Sequence, residues 1–554
     1  MENSSRVIRA PERMLLGLVC CLAFWLVSSR ASAEPAVKRF ALVVGATRSP
    51  VEGAPPLQFS DDDAVNLTEV LQAAGVATEL LVQPDEETIQ LHPGVNFLHI
   101  AAPTNSNVVS ALRQLAARAA AAKRESPGSR VEVFFGFSGH GSASSLVLHD
   151  PKSLTGDALR TLLLDPTRVA GVDAVHLLVD ACGVVSDSEV RSFADALKLG
   201  ENPHTGLFLA LTDEGQALEW DVIGSGVFSY ELRSALLSAA DLAGDRNAVA
   251  TGNAEPNNSV EYREVGAFVS SANDGVKDAS AHMYPAQSPP GGNLDAPLLA
   301  WDPTSHAFTQ LLFPPQQEFW VRVSDATVQA HVAGKLPRHL LLAELHLGPR
   351  QQKPTVLRLP RRARYHVQIV DPRGGRGEVR EFEPARDGDS ADISKLPLLA
   401  GTRGGLAEAL KDGLFRSAYD ERSIGGYNPV AIPGHPELRY IGRKGPPLPP
   451  PHDPSGPWPE VLCIATGVAA SFTAVARVAS NSSYSSWQHA KNEADYDRLQ
   501  SQTSRWDLLT TVGLGATAAA GAGCAGTLLH AWVVKPAPVA AGAGGVGASL
   551  RLRF

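Results

Sequence analysis

The chain has 554 residues, 44% of them hydrophobic, and a formal charge of −9. That length holds two or three domains, with enough apolar material for real cores. The acidic balance and the lack of a dense basic stripe argue against a nucleic-acid partner.

Arg6, Arg9 and Arg13 precede the apolar run Met14 to Val27, and Ala31-Ser-Ala33 offers small residues for cleavage. Residues 1–33 therefore read as a secretory signal. An uncleaved membrane anchor is the alternative. Cys20 and Cys21 follow Gly17-Leu-Val, which lacks the small residues that lipoprotein processing prefers. The mature chain is expected to begin near Glu34, exported to the periplasm or cell envelope. There, without paired cysteines, it relies on its core for stability.

Residues 36–280 alternate strand and helix patterns. Phe40–Gly45, Val131–Phe137, Val175–Val179 and Gly206–Leu211 are short, nearly continuous apolar runs, as in strands buried on both faces of a parallel sheet. Helical stretches fall between and after them, at Ala64–Ala74, Asn105–Lys123, Gly156–Leu164, Asp187–Leu199 and Gly226–Ala240. This alternation predicts an α/β sandwich. Residues 281–316, with Ser288-Pro-Pro-Gly-Gly292, read as a linker. Short alternating runs such as Phe319–Val323 and Tyr365–Val370 predict a small antiparallel β domain over 317–400.

Residues 401–460 read as an amphipathic helix, Leu406 to Tyr419, and a proline-rich linker, Pro446 to Pro459. Residues 461–534 contain two Ala- and Gly-rich apolar segments, Val461–Ala479 and Leu508–Val534, each long enough to span a bilayer. A membrane hairpin is the leading expectation, a buried soluble pair its alternative. Lys491, Arg498 and Arg505 would place the connecting loop in the cytoplasm. The tail, 535–554, supports no reading of its own.

Four of the five cysteines, Cys20, Cys21, Cys463 and Cys524, sit in those terminal apolar segments. Cys182 stands alone between them, where the strand Val175–Val179 would end. Ser138-Gly-His140-Gly141 ends an earlier strand. In open α/β sheets ligands bind beyond the carboxyl ends of strands, so both positions face the expected crevice. A thiol needs a base, and its leaving amine needs a proton donor; histidine can serve both needs. The amides of Gly141 and Cys182 are candidates for an oxyanion site. Taken separately, a lone cysteine is more often a small core hydrophobe, and a lone histidine a satisfied polar residue. His149 and His176 read as structural.

In this order the segments resemble the caspase-like peptidase domain in its metacaspase and bacterial forms. Phe40–Gly45 resembles its first strand, and Leu57-Gln-Phe-Ser-Asp-Asp-Asp63-Ala64 its acidic turn. Phe137-Ser-Gly-His140-Gly141 and Val179-Asp-Ala-Cys182 match its histidine and cysteine motifs. Trp220 to Tyr230 resembles its late "G-x-F-T/S" segment, and Asp241–Asp245 with Val260–Glu264 its last loop and helix. The resemblance implies a three-layer α/β/α sandwich with a mostly parallel sheet. It also implies His140 as general base and acid and Cys182 as nucleophile.

Asp180, two residues before Cys182 on a strand, is expected on the same side of the sheet. By the resemblance, caspases that cut after aspartate usually carry glutamine there, whereas metacaspases carry aspartate and cut after Arg or Lys. Asp63, at the family's other pocket position, would add a second carboxylate, and two favour Arg or Lys before the cut through charge-assisted bonds. The alternative for Asp63 is a helix N-cap. After Cys182 the chain reads Gly-Val-Val-Ser, where active bacterial members more often carry Arg or His, then Ser-Gly. Asp61–Asp63 and Asp241/Asp245 hint at calcium, but without the spacing of a calcium loop, so no metal or cofactor is assigned. The expectation is an exported, membrane-tethered cysteine endopeptidase acting on polypeptides, in an unspecified oligomeric state. The alternative is an inactive scaffold of the same fold in the envelope.

Overall fold

The computed structural model describes most of residues 36–443. Outside that description lie 1–35, 51–55, 183–186, 213–218, 242–257, 274–282, 333–336, 372–375, 385–388, 400–417, 420–426, 444–554 and a few shorter gaps. All the described residues belong to one compact unit, residues 1–444.

In chain order the first part comprises β1 (Val37–Ala46), α1 (Ser60–Ala73), β2 (Ala77–Val82), α2 (Glu86–Leu91), α3 (Asn105–Glu125) and β3 (Arg130–Ser142). It continues with α4 (Gly156–Leu159, extended by a wider turn to Leu164), β4 (Ala174–Cys182), α5 (Asp187–Leu197) and β5 (Thr205–Thr212). Last come α6 (Val227–Ser234), α7 (Tyr262–Asn273) and β6 (Met283–Ser288). The central sheet runs β2-β1-β3-β4-β5-β6, and β2 to β5 are mutually parallel. β6 closes that series antiparallel to β5.

Alternation along the strands sorts side chains onto two faces. Val131, Val133, Phe135 and Phe137 join Leu177, Val179 and Leu209 on one face, under Leu112 and Leu115 of α3 and Phe193 of α5. Phe134, Leu178 and Phe208 join the other, under α1, α6 and α7. The expected three layers are present. α3 begins at Thr104, whose hydroxyl accepts the Asn107 amide at 3.4 Å, and ends with Lys123 and Arg124 in its last turn. Both choices suit the helix dipole.

Two expectations need correction. Residues 281–316 are not simply a linker: β6 is a strand of the central sheet, and Pro297–Ala300 pairs with Ser259–Glu261. Met-Tyr-Pro-Ala-Gln-Ser lacks the continuous apolar run of the inner parallel strands, so pattern alone did not mark it. Within 401–460, two strands extend the same sheet: β13 (Tyr427–Ile432) and β14 (His435–Arg443), with β14 pairing β6. The helix expected over 406–419 lies outside the described residues except at 418–419, where Tyr419 bridges to Leu347.

The β region starts earlier than expected, with β7 (Phe308–Phe313). It continues through β8 (Phe319–Ala330), β9 (Arg338–Leu347), β10 (Thr355–Pro360), β11 (Tyr365–Asp371) and β12 (Arg376–Phe382). It forms an antiparallel sheet ordered β9-β8-β11-β12 and a second, three-stranded one in which β7 pairs β10 antiparallel and Ser390–Asp392 parallel. Its core is continuous with that of the helical layer: Val321, Val323, Leu345 and Val367 share one cluster with Phe228, Val265 and Phe268.

Among the described residues no helix is long and apolar enough to cross a membrane. The signal of 1–33, the apolar pair of 461–534, the proline-rich linker and the tail of 535–554 all fall outside them.

Candidate active site

β3 and β4 lie side by side, and their register opposes Ser138 to Asp180 and His140 to Cys182. Neighbouring strands are about 4.8 Å apart, so the two candidate catalytic positions are adjacent backbone sites. Cys182 is the last residue of β4. His140 is half-buried near the end of β3, where the strand turns back: Gly141 pairs with Leu146, and the Val147 amide donates to the His140 carbonyl at 2.9 Å. Gly139 permits this end of β3 to lie close against β1, since a Cβ there would stand 2.9 Å from the Ala46 carbonyl oxygen.

Asp63 and Asp180 converge on one glycine. A Cβ at Gly226 would lie 3.0 Å from an oxygen of each carboxylate. Asp63 is not an N-cap: α1 starts at Ser60, and Asp63 sits in its first turn. That end of α1 has no side-chain cap of its own. Instead Glu219 reaches in and accepts the Gln58 and Phe59 amides at 2.8 Å each.

Both pocket carboxylates are buried and held by the chain itself. Asp63 accepts from the Ser225 hydroxyl, from the Gly226 amide at 3.0 Å and from the Ser138 hydroxyl at 3.3 Å. Asp180 accepts the Ser229 hydroxyl at 2.6 Å and its amide at 3.1 Å. Gly226 and Ser229 lie at the start of α6, where amides and dipole favour negative charge.

Burial pushes Asp180 up to about 6 against the pull of the Ser229 bonds. Burial pushes Asp63 well above the usual carboxylate range, and the charge of Asp180 adds to that. Arg233, itself buried, is a cation that draws Asp63 back down. It donates to the Leu341 carbonyl at 2.9 Å and lies 5.0 Å from the Tyr230 ring centroid. Beneath the carboxylates, Asp63, Ser138, Asp180 and Ser229 line a cavity of about 20 Å³, room for one water.

Of the residues that hold the pair, Ser138 falls inside the histidine motif and Ser229 ends the "G-x-F-S" segment. Ser225 lies in the same Trp220–Tyr230 segment, ahead of its motif, whereas Glu219 and Arg233 carried no signal, because what marks them is a partner far away in sequence. The histidines read as structural are so: His176 Nδ1 lies 2.9 Å from the Tyr262 hydroxyl and its ring stacks on Phe134, while His149 accepts the Arg48 amide. The acidic run is likewise committed internally, Asp61 accepting the Asp85 amide and the Thr88 hydroxyl. Among the described residues no group of three or more His, Cys, Asp or Glu is arranged to hold a metal.

Residues 38–264 match the family model for the caspase domain. No curated protein sequence matches the chain. Among solved structures the chain is similar to pro-sf-caspase-1, with 12% identity, 47% of this chain and 89% of that one covered, and a TM-score of 0.28. It is similar also to caspase-1 from Spodoptera frugiperda, with 12% identity, 43% and 77% covered, and a TM-score of 0.24. The family match covers less than half of the chain: residues 38–264 are similar to the caspase domain.

Proposed function

We propose that the protein is a cysteine endopeptidase that cuts polypeptides after Arg or Lys. The observation that carries this reading is the register of β3 on β4, which opposes His140 to Cys182. In the reaction His140 takes the thiol proton, and the Cys182 thiolate attacks the scissile carbonyl carbon. The amides of Gly141 and Cys182 hold the oxyanion. His140 then protonates the leaving amine as the C–N bond breaks, leaving a thioester. Water, losing a proton to His140, attacks the thioester and releases the acid and the thiol. Asp63 and Asp180 receive the basic side chain before the cut, by charge-assisted bonds. Export and tethering to a membrane of the cell envelope belong to the same reading, through residues 1–33 and 461–534.

A second reading, a binding scaffold without catalysis, draws on the Gly183-Val-Val run after Cys182 and on carboxylates already satisfied by Ser225 and Ser229. The full chain, incubated with fluorogenic peptides ending in Arg, Lys or Asp beside Cys182→Ala, separates the two. Cleavage after Arg or Lys that disappears in the variant is expected. No cleavage, with no labelling of Cys182 by a thiol-directed electrophile, defeats the enzyme; cleavage after Asp defeats only the pocket.

A further inference from the structure

The loop that holds Asp63 is itself held from the β region. Arg338, at the start of β9, enters between α1, α2 and the turn before α6. Its Nε lies 2.7 Å from Glu87 Oε1, and its Nη2 lies 3.4 Å from Asp62 Oδ2. Its guanidinium carbon stands 4.9 Å from the centroid of the Phe59 ring. Only 13% of its side chain is exposed. These are buried ion pairs, and not the screened surface pairs that contribute little.

The same guanidinium lies against the backbone of Gly224. A Cβ on Gly224 would stand 1.4 Å from Arg338 Nη1, and its φ of +57° also favours glycine. Gly224 immediately precedes Ser225 and Gly226, whose hydroxyl and amide bond Asp63. Phe59 and Asp62 belong to the helix end that carries Asp63 itself. One side chain therefore touches both the segment bearing the carboxylate and the segment bearing its donors.

We infer that Arg338 is a positioning residue for substrate selection: it fixes the 219–226 turn against α1, so that Asp63 is aimed at the basic side chain of the substrate. The β region is on this account part of the peptidase site, acting through Arg338 without touching substrate. The inference rests on the reading of Asp63 as a selectivity carboxylate.

The test uses the full chain. Arg338→Gln alone leaves Glu87 and Asp62 buried without a cation and risks the fold. The variants are therefore Arg338→Lys, which keeps the charge, and the double variant Arg338→Gln/Glu87→Gln, which removes both ends of the closer pair. Arg362→Gln is the control: it too strips a cation from buried carboxylates, Glu69 of α1 and Asp325, and so matches the general cost to the fold, but it acts away from Gly224. KM and kcat are measured on Arg- and Lys-ending peptides, and deuterium exchange is followed in the backbone of 219–226.

In the double variant KM is expected to rise about tenfold with kcat nearly unchanged, and exchange in 219–226 to accelerate. Arg338→Lys falls between it and the wild type, and Arg362→Gln leaves both readouts alone. A folded double variant with wild-type KM and wild-type exchange overturns the inference, as does an equal effect from Arg362→Gln. If the wild type cuts after neither Arg nor Lys, the reading of Asp63 fails by itself. Exchange then still decides whether Arg338 fixes the turn, and unchanged exchange refutes it.

Discussion

The two faces of the central sheet are built on different principles. The face under α3 and α5 is closed by aliphatic and aromatic side chains, Leu42, Val44, Phe135, Leu177 and Phe193 among them. The face under α1, α6 and the β region has an apolar cluster too, but it is threaded with buried charge: Asp61, Asp62, Asp63, Asp180, Glu231, Arg233, Arg322 and Arg358. Apolar burial stabilises without direction, whereas buried charge is costly unless each group is aimed at a partner. The first face supplies stability, and the second supplies placed chemistry. Position 182 falls in the same alternate row of β4 as His176 and Asp180, the row of the charged face.

The sharpest way to break this contrast is at the proposed nucleophile. Cys182→Ala is expected to abolish peptide cleavage, and His140→Ala to lower kcat by about 10²–10⁴-fold, both with an unchanged melting temperature. A variant that loses activity only in step with stability would show the charged face to be structural as well. The opposite result is expected across the sheet. Phe135 is fully buried, and Phe135→Ala is expected to cost about 3–5 kcal/mol in urea unfolding while the preference for Arg over Asp peptides holds. A change in that preference would blur the two faces.

A smaller effect is expected between the carboxylates. In Gly226→Ala the new Cβ meets Asp63 and Asp180 at 3.0 Å, tighter than ordinary contact, so one of them must move. Arg peptides should lose about 10²-fold in kcat/KM, whereas labelling of Cys182 by a small electrophile should not change. Loss of labelling as well would place Gly226 in the support of the thiol and not of the pocket.

How much of this was legible in the sequence depended on the range of each interaction. Strands β1, β3, β4 and β5 were readable because strands buried on both faces are nearly continuous apolar runs, and their ends located His140 and Cys182. β2 escaped because Ala77-Thr-Glu-Leu-Leu-Val, at the sheet edge, carries Thr78 and Glu79 and leaves only a short apolar run. β6 and β14 escaped for a related reason: antiparallel strands at the far side carry Pro, Gln, Glu and Arg. Asp63 and Asp180 were named as a pair, but the serines that hold them were not. A hydroxyl at 225 acquires meaning only when the fold brings it to residue 63, and no local pattern records that. Arg338 lies further still from local pattern, in a region the sequence presented as a separate domain.

The least of the expected effects is also the one in which the charged face opposes itself. Asp180 is raised to about 6 by burial, so its folded form binds a proton more tightly than the unfolded chain does. That contribution to stability is fully present below the unfolded carboxylate range near 4 and is lost as pH rises through 6. Recognition of a cationic side chain has the other sign, since it needs the ionised carboxylate. Between pH 5 and 7 the ionised fraction of a group titrating near 6 rises about tenfold, and kcat/KM for Arg peptides should rise with it. His176 runs against Asp180 in stability: burial lowers it to about 4, so its share is lost as pH falls. The comparison is therefore made by difference, wild type against Asp180→Asn. Asn stays neutral, so the wild-type stability relative to the variant should decline from pH 4 to 7, and the variant should lose the rise in kcat/KM over that range. A rise in kcat/KM that survives in Asp180→Asn would take the titration away from Asp180 and defeat the claim that this buried carboxylate selects the substrate.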